Sequence, residues 1–216
     1  MHVSELWRYP IKSLKGERLD HVEIGEDGLA GDRLVHVQSA GGRVITSRTK
    51  PRLLALHGTL GADGQPLIDG RPWHAHESRA AVRAAAGEDA ELIAYGGLDR
   101  FDVLPLSIAT DGAIAELDVD RRRFRPNIVV GSVEGLAERS WPGLHLRIGD
   151  LLIAVARLRP RCVMTTYDPD TQEQDHSVLR RIVSDFGGAL ALDCAVVEAG
   201  RVRVGDRVEL LRDELA

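Results

Sequence analysis

The chain has 216 residues, 44% hydrophobic and 4% aromatic, with a formal net charge of −5. That apolar share argues for an aliphatic core and against disorder, and the negative balance argues against general nucleic-acid binding while leaving a local anion pocket open. Two cysteines exclude a disulfide framework and fall short of the four thiolates an iron–sulfur cluster usually takes. No basic, then apolar, leader opens the sequence, and no stretch approaches the ~20 apolar residues of a membrane helix. The expectation is a cytoplasmic protein with no membrane partner.

Alternation over Leu19–Ile24 predicts a strand. Leu34–Val37, the turn Ala40-Gly41-Gly42 and Arg43–Ile45 predict a hairpin. Glu77–Ala86 reads as a helix stopped by Gly87, and Leu92–Tyr95 as a strand. A second helix starts near Thr110, a capping residue. Strands are predicted at Ile128–Val130, Leu144–Ile148 and Leu151–Ala156. Ser177–Phe186 is an amphipathic helix, with Leu179, Ile182, Val183 and Phe186 at helical spacing and Gly187-Gly188 at its end. Strand pairs around Ala199-Gly200 and Gly205-Asp206 close the chain. Many short strands with few helices indicate an α+β, β-barrel-rich fold, with a soft boundary within 96–105. No parallel βαβ series is evident, which argues against a Rossmann domain.

Cys162 carries the strongest chemical signal. It lies between Arg159, Arg161 and the segment Val163-Met164-Thr165-Thr166-Tyr167-Asp168-Pro169. Nearby positive charge favours a thiolate, which is a nucleophile or a metal ligand. Cys194 sits in the apolar run Leu190–Val197 and reads as core. No histidine is a clear base for Cys162: His176 is one loop away, and a zinc site with His74 and His76 needs a convergence the spacing does not impose. Candidate anion contacts are Lys12 and Ser13 after Pro10, Arg33 after a glycine turn, the helix start at Thr110, and Arg125 and Asn127 flanking Pro126. Together they could hold a phosphorylated ligand near Cys162.

The ordered series Tyr9-Pro10-Ile11-Lys12-Ser13, Asp32-Arg33, Thr46-Ser47-Arg48, Arg123-Phe124-Arg125-Pro126-Asn127 and Arg161-Cys162 with Thr165-Thr166 and Asp168-Pro169 resembles the MOSC family, in its amidoxime-reducing branch. The resemblance runs from about residue 3 to 211. It implies an N-terminal β-barrel-like domain over 1–100, packed on a MOSC β-barrel domain over 101–216. It also implies a molybdenum–pterin (Mo-molybdopterin) cofactor whose metal is bound by Cys162. Lys12, Ser13, Arg33, Thr110, Arg125 and Asn127 would then contact phosphate and pterin, Arg161 would support the anionic ligand, and Asp168 would lie near the metal to position or protonate substrate. The implied activity is reduction of N-hydroxylated compounds by oxygen transfer to molybdenum. With no cluster ligands in the chain, electrons are expected from a separate ferredoxin or a flavin or heme reductase. The alternative is a non-catalytic carrier of sulfur or cofactor on Cys162. The sequence departs from the family turn Asp-Pro-Asp-Thr-Gly by placing Gln172 last. A glutamine there at positive φ would cost roughly 1 kcal/mol and is expected to remodel the turn.

Overall fold

The computed structural model describes residues 1–97 and 100–212. The first half contributes β1 (His2–Arg8), β2 (Glu17–Leu19), β3 (His21–Gly25), β4 (Gly28–Leu29), β5 (Val35–Ser39) and β6 (Val44–Ile45). It continues with β7 (Gly58–Leu60), β8 (Pro66–Ile68), β9 (Arg71–Pro72), α1 (His76–Ala86) and β10 (Ala90–Ala94). The second half contributes β11 (Leu106–Thr110), α2 (Asp111–Leu117), β12 (Ile128–Gly131), β13 (His145–Ile148) and β14 (Leu151–Pro160). It closes with α3 (His176–Phe186), β15 (Ala189–Glu198), β16 (Gly200–Arg203) and β17 (Glu209–Leu211). The fold is strand-rich and of the α+β class, as the sequence indicates. Among the described residues no helix is long and apolar enough to cross a membrane.

One eight-stranded sheet dominates, in the order β17-β13-β14-β15-β11-β12-β1-β2. Strands from the first half, β1 and β2, are therefore built into the sheet of the second. In return β16, near the end of the chain, pairs with β3. The expected barrel is not closed among the described residues, because the strand order of this sheet forms no ring. The start of β1 instead meets the segment before β17: Val3 N–H donates to the Asp206 carbonyl at 2.9 Å, and Gly205 N–H to that of Val3 at 2.8 Å. One parallel pair, β11 with β12, is joined through α2.

Local chemistry explains most elements. The Thr110 hydroxyl accepts from Ala113 N–H and starts α2. Asp175 caps α3 by accepting from Ser177 N–H, and Gly187, at φ 63°, ends it in the left-handed region. The buried face of α3 is Val178, Ile182 and Phe186, whereas Val183 is 59% exposed. The apolar stripe is thus rotated from the one the spacing suggested, because the i, i+4 row from Val178 meets Phe124 and Leu117 in the core. Two strand readings also change. The Leu19–Ile24 run breaks at Asp20, where the chain passes from β1 to β16 as partner. The last turns form no hairpins: β16 pairs with β3 and β17 with β13, so Gly205-Asp206 redirects the chain between partners already in place.

Three apolar clusters fill the molecule. The largest lies under the main sheet and includes Leu6, Ile128, Leu146, Ile153 and Cys194. A second packs Ile11, Leu14, Val35 and Leu53 against α1. The third joins α2, α3 and Phe124. The candidate cleft is lined by Phe124 of the third cluster.

Candidate functional site

Strand alternation sets the first wall of the cleft. Arg157, Arg159 and Arg161 recur at every second residue along the end of β14 and just beyond it, and all three line the cleft. The register of β14 against β15 shifts three times, and the last two shifts, between Val155 and Arg157 and between Leu158 and Pro160, re-aim this stretch. Opposite Arg157 on β15 stands Asp193, with no exposed surface. Its carboxylate accepts from Arg157 Nε at 3.2 Å and from Arg159 Nη1. Cys162 follows at the start of a 3-10 turn, Val163–Thr166. Its carbonyl accepts from Thr165 N–H at 3.1 Å and Thr165 Oγ1 at 2.9 Å, which fixes the backbone while the half-buried thiol lines the cleft.

The opposite wall comes from the first half of the chain. Lys12, Ser13, Arg33 and the Thr46-Ser47-Arg48 segment line it, and the Arg123–Arg125 segment completes the enclosure. Ser13, Arg33 and Arg125 all hold positive φ, at 74°, 52° and 52°. Non-glycine residues rarely adopt that conformation, and it clusters at ligand clamps. The cavity is about 220 Å³. One water needs only about 10–15 Å³, so this is a ligand-sized space. Eight of its lining side chains are Lys or Arg and two are Asp.

Buried partners hold these cations in place. Asp32, fully buried, pairs with Arg33 and accepts from Tyr9 N–H at 2.7 Å and Asn127 Nδ2 at 3.2 Å. Arg125 stacks 4.1 Å from the Tyr9 ring centroid and donates to the Leu14 carbonyl at 2.7 Å. Burial pushes Tyr9 up to about 12 and Arg125 down to about 10. Arg161 is the outlier. Its Nη2 donates to the Phe124 carbonyl at 2.9 Å, but Nε and Nη1 are buried with no partner. Burial first, then repulsion from Arg159, lowers its pKa to about 9, so it remains a cation at neutral pH. A buried, charged donor pair without an acceptor fits an anionic ligand at this point.

Six of the nine residues singled out from sequence converge here: Lys12, Ser13, Arg33, Arg125, Arg161 and Cys162. Three do not line the cleft. Thr110 caps α2 and donates to Glu138 Oε2 at 3.2 Å, so its hydroxyl is already used. Asn127 is buried behind the wall, bracing Asp32 and accepting from Ser107 N–H at 3.1 Å. Asp168 stands outside, joined to the cleft-lining Arg123 by an ion pair of 3.1 Å. The N–H groups of Thr171 and Asp170 hold its carboxyl below the usual range. Gln172 accepts φ 60°, and its Nε2 donates to the Asp170 carbonyl at 2.6 Å.

Sequence reasoning read Arg123 within its motif without giving it a role of its own, and passed over Arg157, Asp193 and Asp102. The period-two arginines were a visible signal for Arg157; the two aspartates carried none. Among the described residues no three His, Cys, Asp or Glu side chains converge as a metal site. His176 lines a shallow recess on α3 with Leu179 and Val183, apart from Cys162. Cys194 is wholly buried, and burial and the charge of Asp193 push its thiol far up, as a core cysteine requires.

Residues 1–92 match the MOSC N-terminal beta barrel domain and residues 106–209 match the MOSC domain. The chain belongs to the MOSC family. This MOSC chain is 27% identical over 234 residues to mitochondrial amidoxime-reducing component 1 of Homo sapiens, covering 78% of this chain and 67% of the relative. It is 25% identical to the protein of that name from Mus musculus, over 97% of this chain and 82% of the relative. Its fold is similar to that of the YUAD protein from Bacillus subtilis, with a TM-score of 0.54 at 15% identity, covering 97% and 94% of the two chains. The MOSC family and these relatives imply a molybdenum cofactor. The donor set fits one: a single accessible thiol as a soft metal ligand, and buried unpaired guanidinium nitrogens for an anionic tail.

Proposed function

We propose that this MOSC protein is a molybdenum-cofactor-dependent oxidoreductase that reduces N-hydroxylated compounds. The observation that carries the reading is the presence of the Cys162 thiol and the two unpartnered Arg161 nitrogens, Nε and Nη1, in one cationic, ligand-sized cleft. The names of the relatives in Homo sapiens and Mus musculus supply the substrate class. When bound, a molybdenum–pterin cofactor supplies the two-electron chemistry that removes oxygen from an N–O bond.

The chain's own residues divide the remaining work. Cys162 would be the thiolate ligand of the metal. Lys12, Ser13, Arg33, Arg125 and Arg161 hold the anionic and hydrogen-bonding parts of the cofactor. Asn127 and Thr110 act from behind, Asn127 by holding Asp32 against Arg33 and Thr110 by starting α2. Asp168, kept ionised by backbone N–H groups, is suited to orient an N–OH group by accepting its hydrogen bond rather than to donate a proton. Electrons come from a separate ferredoxin or a flavin or heme reductase, and two free cysteines suit a reducing compartment such as the cytoplasm.

The test is molybdenum per chain in wild type and Cys162→Ser, together with reduction of hydroxylamine or an amidoxime by an artificial electron donor. Wild type should hold molybdenum and turn over, and the variant should lose both. Equal molybdenum in the two overturns the ligand assignment. Metal-free wild type that accepts persulfide on Cys162 replaces the enzyme with the carrier.

A further inference from the structure

Asp102 lies in a bend between the two family-matched domains, and its carboxylate reaches back into the cleft. Oδ1 meets Lys12 Nζ at 2.7 Å and Oδ2 meets Arg48 Nη2 at 2.9 Å. Lys12 also donates to the Arg100 carbonyl at 3.3 Å in the same segment. The cleft's other carboxylate, Asp193, is fully buried between paired strands. Asp102 differs: its side chain is 39% exposed, and it sits outside any helix or strand. Burial works to raise its pKa, but the hydrogen bond and charge of Lys12, with Arg48 and Arg33, bring it below the ordinary value. It is fully ionised at neutral pH.

A ligand anion that reaches Lys12 and Arg48 must therefore displace an anion already there. We propose that Asp102 is a specificity-determining residue, an internal monoanion that competes for Lys12 and Arg48 and reserves this end of the cleft for dianionic phosphate groups. A phosphate monoester carries a charge of about −1.5 to −2 and three acceptor oxygens. It can satisfy both cations and keep an oxygen for Arg33, whose charge also acts on Asp102. A carboxylate or halide at best replaces what Asp102 already provides. Once displaced, the half-exposed Asp102 side chain is hydrated at little cost. The inference rests on reading the cleft as an anion site, and it needs no molybdenum.

The experiment titrates the full-length chain, purified without cofactor, with inorganic phosphate and separately with acetate at constant ionic strength, by calorimetry. Wild type should bind phosphate and discriminate against acetate. Asp102→Asn keeps the shape and drops the charge. It should bind phosphate roughly threefold to tenfold more tightly and acetate by a larger factor, so that discrimination falls. Asp102→Glu should retain it. Unchanged or weaker phosphate binding in Asp102→Asn overturns the proposal, as does an equal gain for both anions. Thermal melts confirm that each variant is folded. Wild type that lacks molybdenum in cells would sink the oxidoreductase reading and leave this measurement standing.

Discussion

The Arg161 guanidinium lies 5.3 Å from the centroid of the Phe124 ring and donates to the Phe124 carbonyl at 2.9 Å. Phe124 belongs to the core shared with α2 and α3, so the arginine is anchored on a rigid floor while two of its donors stay unpaired. Arg161→Met keeps the packing and removes the charge. Cofactor retention should fall about tenfold or more, the worth of a charge-assisted hydrogen bond. Stability of the cofactor-free chain should hold or rise, because a poorly paired buried cation is gone. Retention equal to wild type, measured as pterin per chain, would refute this.

The two cysteines should fail in opposite ways. Cys162→Ser should lose molybdenum with little change in thermal stability, since the half-buried residue lines the cleft and belongs to none of the apolar clusters. Cys194→Ser buries a hydroxyl among Leu106 and Val155 and should cost about 1–3 kcal/mol. Metal per folded chain should be unaltered there. Inductively coupled plasma analysis beside a thermal melt separates the two.

Asp193→Ala leaves Arg157 and Arg159 beside Arg161 with no counter-ion on β15. Breaking a fully buried pair costs about 3–5 kcal/mol. Arg157 is 54% exposed, and solvent screening reduces the expected loss to about 2–3 kcal/mol. A chemical denaturation series on the cofactor-free protein measures it.

Acid should loosen the joint between the two halves. Hydrogen bonds from Arg122 and Lys15 hold Asp170 far below the usual carboxylate range, and Lys15 comes from the first half of the chain. With the folded pKa depressed, the unfolded chain binds more protons between the two values. The contribution is complete above the unfolded pKa of about 4 and is lost as pH falls below it. Asp170→Asn should flatten this acid limb, read from melting temperature between pH 6 and 3.

Gln172 holds φ 60° in the Asp168 turn, a conformation that suits glycine. Gln172→Gly should stabilise the protein by roughly 0.5–1 kcal/mol, less what the Nε2 bond to the Asp170 carbonyl contributes. A lower melting temperature would mean that this bond outweighs the backbone strain.

Local signals were readable in the sequence. Thr110 and Gly187 mark helix ends through bonds to near neighbours, so α2 and α3 were recognisable. The ordered basic motifs also identified six residues that meet in space. What escaped was set by long-range pairing. Asp193 matters because a register shift between Val155 and Arg157 places it opposite Arg157, and Asp102 because a bend returns it to Lys12. Neither register nor a non-local ion pair leaves a periodic trace. Val183 was misjudged for a related reason: helical spacing defines a stripe, while the neighbouring core decides which stripe turns inward.

The exchange of strands between the two halves has a consequence for biosynthesis. β3 has its partner in β16, and Val3 is bonded to Gly205 and Asp206. A ribosome releases Lys12 and Arg33 long before Asp193 and the strands that lock the first half in place. The cleft therefore cannot close around a ligand while the chain is still emerging. Both walls of the cleft exist together only once the late strands have paired with the early ones.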